Sequence, residues 1–583
     1  MVSERMATDK ATEKKWSTSQ IRKWVAATFL VGGGAIALIW VIRHYSPPHT
    51  QVGDRLVPSS ALLSVSVSTE KETWQQAQDL GTSESQNKLQ TAIQRWRDRL
   101  ATATGYSYEK DIQPWVGKRF TLAFLPSAKP ALEKTQPSQL AILPIADRNA
   151  FTESWQSPQQ LEKSKWSPRS YQGVTVWQTQ GSSETTYAAA VLQRRFVVVA
   201  NEPKTLEKAI DAYQQNSSIA DADGYKKAWK KLPTSRPTDA NASTVSLARL
   251  YVNVPEVAAW LAKTSVNSEA LPNITQIPQN QGIVGSIDLE SEGIRLHSLS
   301  WRSDNEGSST SNNRKAYLVS NESPSILSRL SANAVLAISG NNLQRFWQTY
   351  SQRAQLNPLN PLNVEWLRQA IQSTVDLNLE TDLLPWMDGE FAVSVLPAQK
   401  ETKSPLPGGV AFLVKTSDRE QAEKTLKQLD EAIADKYRYE VDTKKINGRS
   451  VVNWTSPMGS VTVTHGWLPQ DILFFTVGAP IANDVISSPS QILPHGELFQ
   501  KTFPQEQRPY NGNFFLDLER TLNSDRPLVP ELPPQQKVWV ESIRSIGVTA
   551  AVQDEYSTYY NVFLLMHHNA AAAASQKPSP ANP

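Results

Sequence analysis

The chain of 583 residues contains no cysteine. Disulfides, thiolate nucleophiles, iron–sulfur clusters and cysteine zinc sites are therefore excluded together. Such a chain is at home in an oxidising compartment, although the absence does not fix one. Histidine is scarce: the seven are His44, His49, His297, His465, His495, His567 and His568. None has a neighbour at metal-ligand spacing such as H-E-x-x-H, so no metal site is expected. Nucleophile motifs of the G-x-S-x-G kind and the phosphate-binding G-x-x-x-x-G-K-[ST] loop are also missing. No cofactor is expected. Net charge is nearly absent too, at +3. The first 23 residues hold six basic against three acidic side chains, so everything after them sums to zero. A nucleic-acid protein carries its basic patch on the folded part, and nothing in the charge balance calls for one.

What the sequence does have begins at Trp24. Trp24 to Ile42 carries no charged residue. As a helix at about 1.5 Å per residue it matches a hydrocarbon core of about 30 Å. Trp24 and Trp40 flank it as interfacial residues do. A signal peptide has an apolar region of about 7–15 residues and a small-x-small cleavage site; this run is longer and RHYSPPHTQVGDR follows it. The reading is an uncleaved anchor, with the basic tail 1–23 cytoplasmic and the rest outside. Gly33 and Ala37 form a small-xxx-small pair of the kind that lets helices approach. Oligomeric state stays open.

The remainder is written twice. DIQPWVGKRFTLAFLP from Asp111 is echoed by DLLPWMDGEFAVSVLP from Asp382. Before it, ALLSVS from Ala61 matches AVLAIS from Ala334, Trp74 matches Trp347, and LQTAIQ from Leu89 matches LRQAIQ from Leu367. After it, RRFVVVANEP from Arg194 resembles QDILFFTVGAP from Gln470, and LARLYVNV from Leu247 resembles GNFFLDL from Gly512. Each copy closes on two alternating runs. The sequence therefore implies a spacer at 43–55, a first repeat at 56–302, a linker at 303–323, a second repeat at 324–567 and a disordered tail at 568–583.

Within one copy, Ala61–Ser68 alternates as a strand does. Thr69 and Glu72 suggest a capping box. Leu89, Ile93, Trp96 and Leu100 lie on one helical face. An extended or turn segment is expected before Pro114, followed by a strand over Phe120–Leu125 that forms a hairpin with the next. Strands are expected at Val174–Gln178, Tyr187–Leu192 and Phe196–Ala200, and a helix starting near Glu202–Pro203. Consecutive hairpins favour α+β architecture: two tandem domains with mostly antiparallel sheets and helices on one face.

The apolar run, then L-V-P-x-x-A-L from Leu56, Y-x-x-D-I-Q-P-W-V-G from Tyr108 and F-V-V-V-A-N from Phe196, together resemble the cyanobacterial domain of unknown function 3352. The resemblance covers 56–302 well and 325–567 more loosely. It implies a protein anchored in the plasma or thylakoid membrane of a photosynthetic bacterium, with its bulk periplasmic or lumenal. It carries over no activity and no catalytic residue.

Three features compete for a functional reading. Glu109 and Asp111, echoed by Glu380 and Asp382, could be a carboxylate pair; a turn whose Asp accepts backbone N–H groups is the simpler account. Trp115 and Trp386, each after a proline (Pro114, Pro385), fit a domain-edge plug better than a partner anchor. YKKAWKKL from Tyr225 is sharper: Lys226, Lys227, Lys230 and Lys231 surround a face that includes Trp229, a candidate contact for anionic lipid or an acidic partner. The second copy has GELFQKTF there. The expectation is a non-catalytic binding or assembly scaffold engaging an unknown envelope or lumenal protein; the alternative is a carrier of a lipid or other apolar ligand.

Overall fold

The computed structural model describes residues 53–568, apart from 105–106, 128–135, 155–165, 180–185, 223, 233–244, 265–279, 303–324, 355–363, 399–405, 458–460, 488–490, 504–509, 524–531 and 555. The basic tail, the Trp24–Ile42 run with Gly33 and Ala37, most of the spacer, the linker and the C-terminal tail lie outside the described residues. Among the described residues no helix is long and apolar enough to cross a membrane.

Twenty strands form one sheet in which every neighbour is antiparallel. The first ten are β1 (Leu63–Ser68), β2 (Arg119–Leu125), β3 (Ser138–Pro144), β4 (Trp166–Tyr171), β5 (Val174–Thr179), β6 (Ala188–Leu192), β7 (Phe196–Ala200), β8 (Val245–Val252), β9 (Asn280–Glu290) and β10 (Gly293–Arg302). The second ten are β11 (Leu336–Gly340), β12 (Phe391–Pro397), β13 (Gly408–Lys415), β14 (Glu440–Ile446), β15 (Arg449–Thr455), β16 (Thr462–Leu468), β17 (Ile472–Gly478), β18 (Gly512–Asp517), β19 (Ile543–Asp554) and β20 (Ser557–Met566). The pairings run β4-β5-β6-β7-β3-β2-β1-β8-β9-β10, then β20-β19-β18-β11-β12-β13-β17-β16-β15-β14. Strand for strand, the neighbour order of the second ten repeats that of the first. Local detail repeats as well. The β6–β7 turn places Gln193 and Arg194 at positive φ, and the β16–β17 turn does the same with Gln470 and Asp471.

The halves meet where β10 pairs with β20, from Gly293↔Leu565 to Trp301↔Ser557, with His297↔Asn561 at the centre. The join is tight. A Cβ on Gly293 would stand 2.1 Å from the Leu564 carbonyl oxygen. Apolar packing crosses it: Val65, Leu250, Ile287 and Leu296 share a buried cluster with Leu336, Phe514, Ile546 and Val562.

Helices cover both faces of the sheet, not one. In the first half, Leu206 and Ile210 of the Pro203–Gln215 helix pack on Leu140 and Ile142 of β3. On the other face Phe151 of the Arg148–Ser154 helix packs against Trp115 and Leu143. Strands such as β3 are flanked by apolar residues on both sides, so a one-sided alternation understates their cover. Pro203 occupies the first turn of its helix, and Asn216 closes it in the left-handed conformation, as expected for a helix opened by proline.

One local expectation needs correction, and another resolves to one of its two forms. The helix after β1 spans Lys71–Asp79 with Glu70 at its N-cap and no side-chain cap. Thr69 does not cap it, because its hydroxyl donates to the Gly117 carbonyl 2.8 Å away and ties β1 to the distant turn. The segment before Pro114 takes the turn form of its expectation, not the extended one. Tyr108–Ile112 forms a single π-helical turn, closed by Gln113 N–H to the Tyr108 carbonyl at 2.7 Å. The conformational bias before proline is outweighed by the bonds that converge there. Strand β4 went unread because Pro168 interrupts it; proline is tolerated on an edge strand, and among the described residues β4 pairs only with β5.

Candidate functional site

Asp111 sits in the π turn with its carboxylate accepting the Ser107 N–H at 2.7 Å. Its carbonyl accepts the Trp115 indole N–H. Asp382 does the same, accepting from Asn378 N–H at 2.7 Å, while Trp386 donates to its carbonyl at 2.9 Å. Both tryptophans follow their prolines and are 1% exposed, so neither offers a free ring. The glutamates diverge from the aspartates. Glu109 pairs with Arg97 at 2.7 Å, and Glu380 takes Arg368 Nε at 2.6 Å and the Trp347 indole at 3.1 Å. Burial raises the pKa of Glu380, yet the bonds from Trp347 and Arg368 outweigh it and hold the carboxyl below its ordinary range. Each carboxylate thus serves a local bond.

Tyr225–Lys231 is a helix. Tyr225, Ala228 and Leu232 are buried and Trp229 half-buried, while Lys226, Lys227, Lys230 and Lys231 are exposed. Its seat joins three distant parts of the chain. The Tyr225 hydroxyl donates to Asp54 at 2.7 Å, and burial, then the Asp54 carboxylate, push that hydroxyl's pKa well up. Gly224, at φ +76°, lets the Trp301 indole lie against the backbone. Lys231 pairs with Asp554 of β19 at 2.7 Å, so this first-half helix also grips the second half. Exposed Arg55 belongs to the same basic surface. Asp221 is held below the carboxylate range first by the Ser218 hydroxyl, with Lys226 and Arg55 adding to it.

A polar cluster that sequence reading missed lies beside the join. Arg295 of β10 grips Glu290 through Nε at 2.5 Å and Nη2 at 3.0 Å, donates to Asn561 of β20 at 3.2 Å, and stands 4.3 Å over the Phe563 ring. His297 bonds the Tyr559 hydroxyl through Nδ1, with Asp288 4.0 Å from Nε2. Ser286 donates to Asp288 at 3.1 Å. Arg119 of β2 donates to the Ser246 carbonyl at 2.8 Å. Its pKa falls to about 10, first through burial and then through the Arg249 guanidinium, against the pull of Asp288. Arg249 in turn lies 5.3 Å over Trp229 of the basic helix. Where Ser66, Arg249 and Ser286 stand in the first half, the second half has neutral groups: Ser339 donates to Asn513 at 2.7 Å beside buried Thr549. The missed signal was charge at alternate positions of SIDLESEGIRLHSLSW, which reads as a solvent face until β20 supplies the neighbouring strand.

His465 is buried and bonds Asp430 at 2.8 Å. Among the described residues no three His, Asp or Glu side chains are grouped to hold a metal ion.

The fold and these sites define an α+β protein with one continuous antiparallel sheet, a basic helix on one half and a buried charged cluster at the centre. The chain belongs to the family described as "Protein of unknown function (DUF3352)", whose model matches residues 24–566. No curated protein matches it. Two solved structures, crystal forms III and I of TP0453, align at 12% and 11% identity, each with a TM-score of 0.23. They cover 45% and 48% of this chain and 84% and 88% of their own. At that score the likeness carries neither fold nor function across.

Proposed function

We propose that the chain is a single-pass, membrane-anchored binding or assembly scaffold, not an enzyme, held outside the cytoplasm of a cyanobacterium at the plasma or thylakoid membrane. Its α+β unit arose by duplication. The observation that carries the reading is the continuous sheet: two halves with one strand order, fused through β10 and β20 into a single body. Such a body holds a broad surface rigid, which suits presenting partners better than opening and closing around a substrate. Two further observations support it. The family match begins at Trp24 and so takes in the apolar run. The paired carboxylates are spent on local bonds. The test is fractionation of a tagged full chain, followed by protease protection and in-cell crosslinking. A carbonate-resistant membrane chain, cleaved only from the extracytoplasmic side and crosslinked to a discrete protein, is the expected result. A chain released by carbonate, or one giving no crosslinked species, overturns it.

A further inference from the structure

The basic helix Tyr225–Lys231 sits where the chain enters the fold. Its Tyr225 hydroxyl bonds Asp54, the second described residue after the apolar run, and the next residue, Arg55, is exposed. Gly53 is only eleven residues beyond Ile42. Fully extended, that stretch reaches about 40 Å at the most. The tether therefore keeps the exposed Arg55, Lys226, Lys227 and Lys230 near the surface of whatever bilayer holds the run.

Charge and geometry agree on what that surface is. The lysines project from a helix whose apolar side is already seated: Tyr225 and Ala228 pack with Tyr251 and Trp301. The helix therefore has no apolar face left to insert, and its contact is electrostatic. Lys231, turned to Asp554, fixes the helix against the second half, so an orientation imposed on the helix is imposed on the whole sheet. We infer that this basic surface docks on anionic lipid headgroups of the membrane that carries the anchor and sets the angle of the sheet to it. The inference rests on the anchor reading above.

The absence of cysteine allows a clean test. Full-length Lys227→Cys, labelled with a fluorophore, is placed in nanodiscs containing headgroup-spin-labelled lipid, with Ser450→Cys on β15 as a distant label. Stronger quenching at 227 in anionic than in zwitterionic discs is expected, falling as salt shortens the screening length, with the label at 450 unchanged. Each lysine near an anionic surface contributes on the order of fivefold to binding. Lys226→Glu with Lys230→Glu is therefore expected to lower the docked-to-undocked ratio at least about 25-fold, and the corresponding Arg pair to retain it. A chain that stays out of the discs overturns the anchor and this inference with it. An inserted chain with equal quenching in both lipids overturns the docking alone, as does quenching that the Glu pair leaves intact.

Discussion

Gly293→Ala tests whether the join between β10 and β20 holds the molecule together. The new methyl would stand 2.1 Å from the Leu564 carbonyl oxygen and 3.1 Å from its carbon. Ordinary contact between such atoms needs more than 3 Å, so the strands must part locally by roughly 1 Å against a normal spacing of about 4.8 Å. A shift of that size breaks one or two ladder bonds beside Gly293. A buried backbone group left unpaired costs about 1–3 kcal/mol, so a loss of about 2–5 kcal/mol is expected. Urea unfolding of the purified chain measures it, and amide exchange locates it. Gly173→Ala is the control. It stands at φ +78° with nothing within 4 Å, so it reports backbone strain without collision and should cost about 1–2 kcal/mol. If Gly293→Ala costs no more than Gly173→Ala, or if exchange rises everywhere except in β10 and β20, the close approach is not what holds the join.

Trp115→Ala and Trp386→Ala should each cost about 3–5 kcal/mol by thermal unfolding, since both rings are fully enclosed; an equal tolerance of Ala at exposed Trp366 and at Trp115 would contradict the plug assignment. Glu290→Gln leaves Arg295 buried without its partner charge and should cost about 3 kcal/mol, and a Glu290→Leu/Arg295→Met pair should recover most of it, as a double-mutant cycle would show. Glu380 has its folded pKa depressed, so its stabilising share is present above the unfolded value and fades as pH falls through the lower folded one. Glu380→Gln should therefore be less stable than the parent at neutral pH, with the difference shrinking in acid; a gap that widens in acid would reverse the sign.

Much of this fold is legible in the sequence because strands such as β2 and β7 are apolar runs bounded by turn residues, and because each is written again in the second half. The helix at Pro203 announces itself through its proline. Features made by distant partners were hidden. Thr69 looks like a cap until Gly117 is seen to claim its hydroxyl. The segment before Pro114 reads as either extended or a turn, and only the Asp111 carboxylate and the Trp115 indole decide for the turn. The central cluster is the extreme case, since Arg295 and His297 alternate like solvent-facing residues and become buried only through Asn561 and Tyr559 of β20. The basic helix was legible as charge on an amphipathic pattern. Its grip on Asp54 and Asp554 was not, since those contacts span about 170 and 320 residues.

The pairing of β10 with β20 also orders events in time. β10 is complete at Arg302 and β20 only at Met566, roughly 260 residues later. At about 5–20 residues per second of synthesis, the first half waits some tens of seconds with its inner edge unpaired and Leu296, Ile287 and Val65 awaiting their partners. The outer edges are safe, one interrupted by Pro168 and the other lined by exposed Lys444 and Lys445, as edge protection requires. The inner edge, Gly293 to Trp301, has neither proline nor lysine, only Arg295 and His297. Chains that stall between the halves should therefore be the species that aggregate, and the last strand made is the one that ends the hazard.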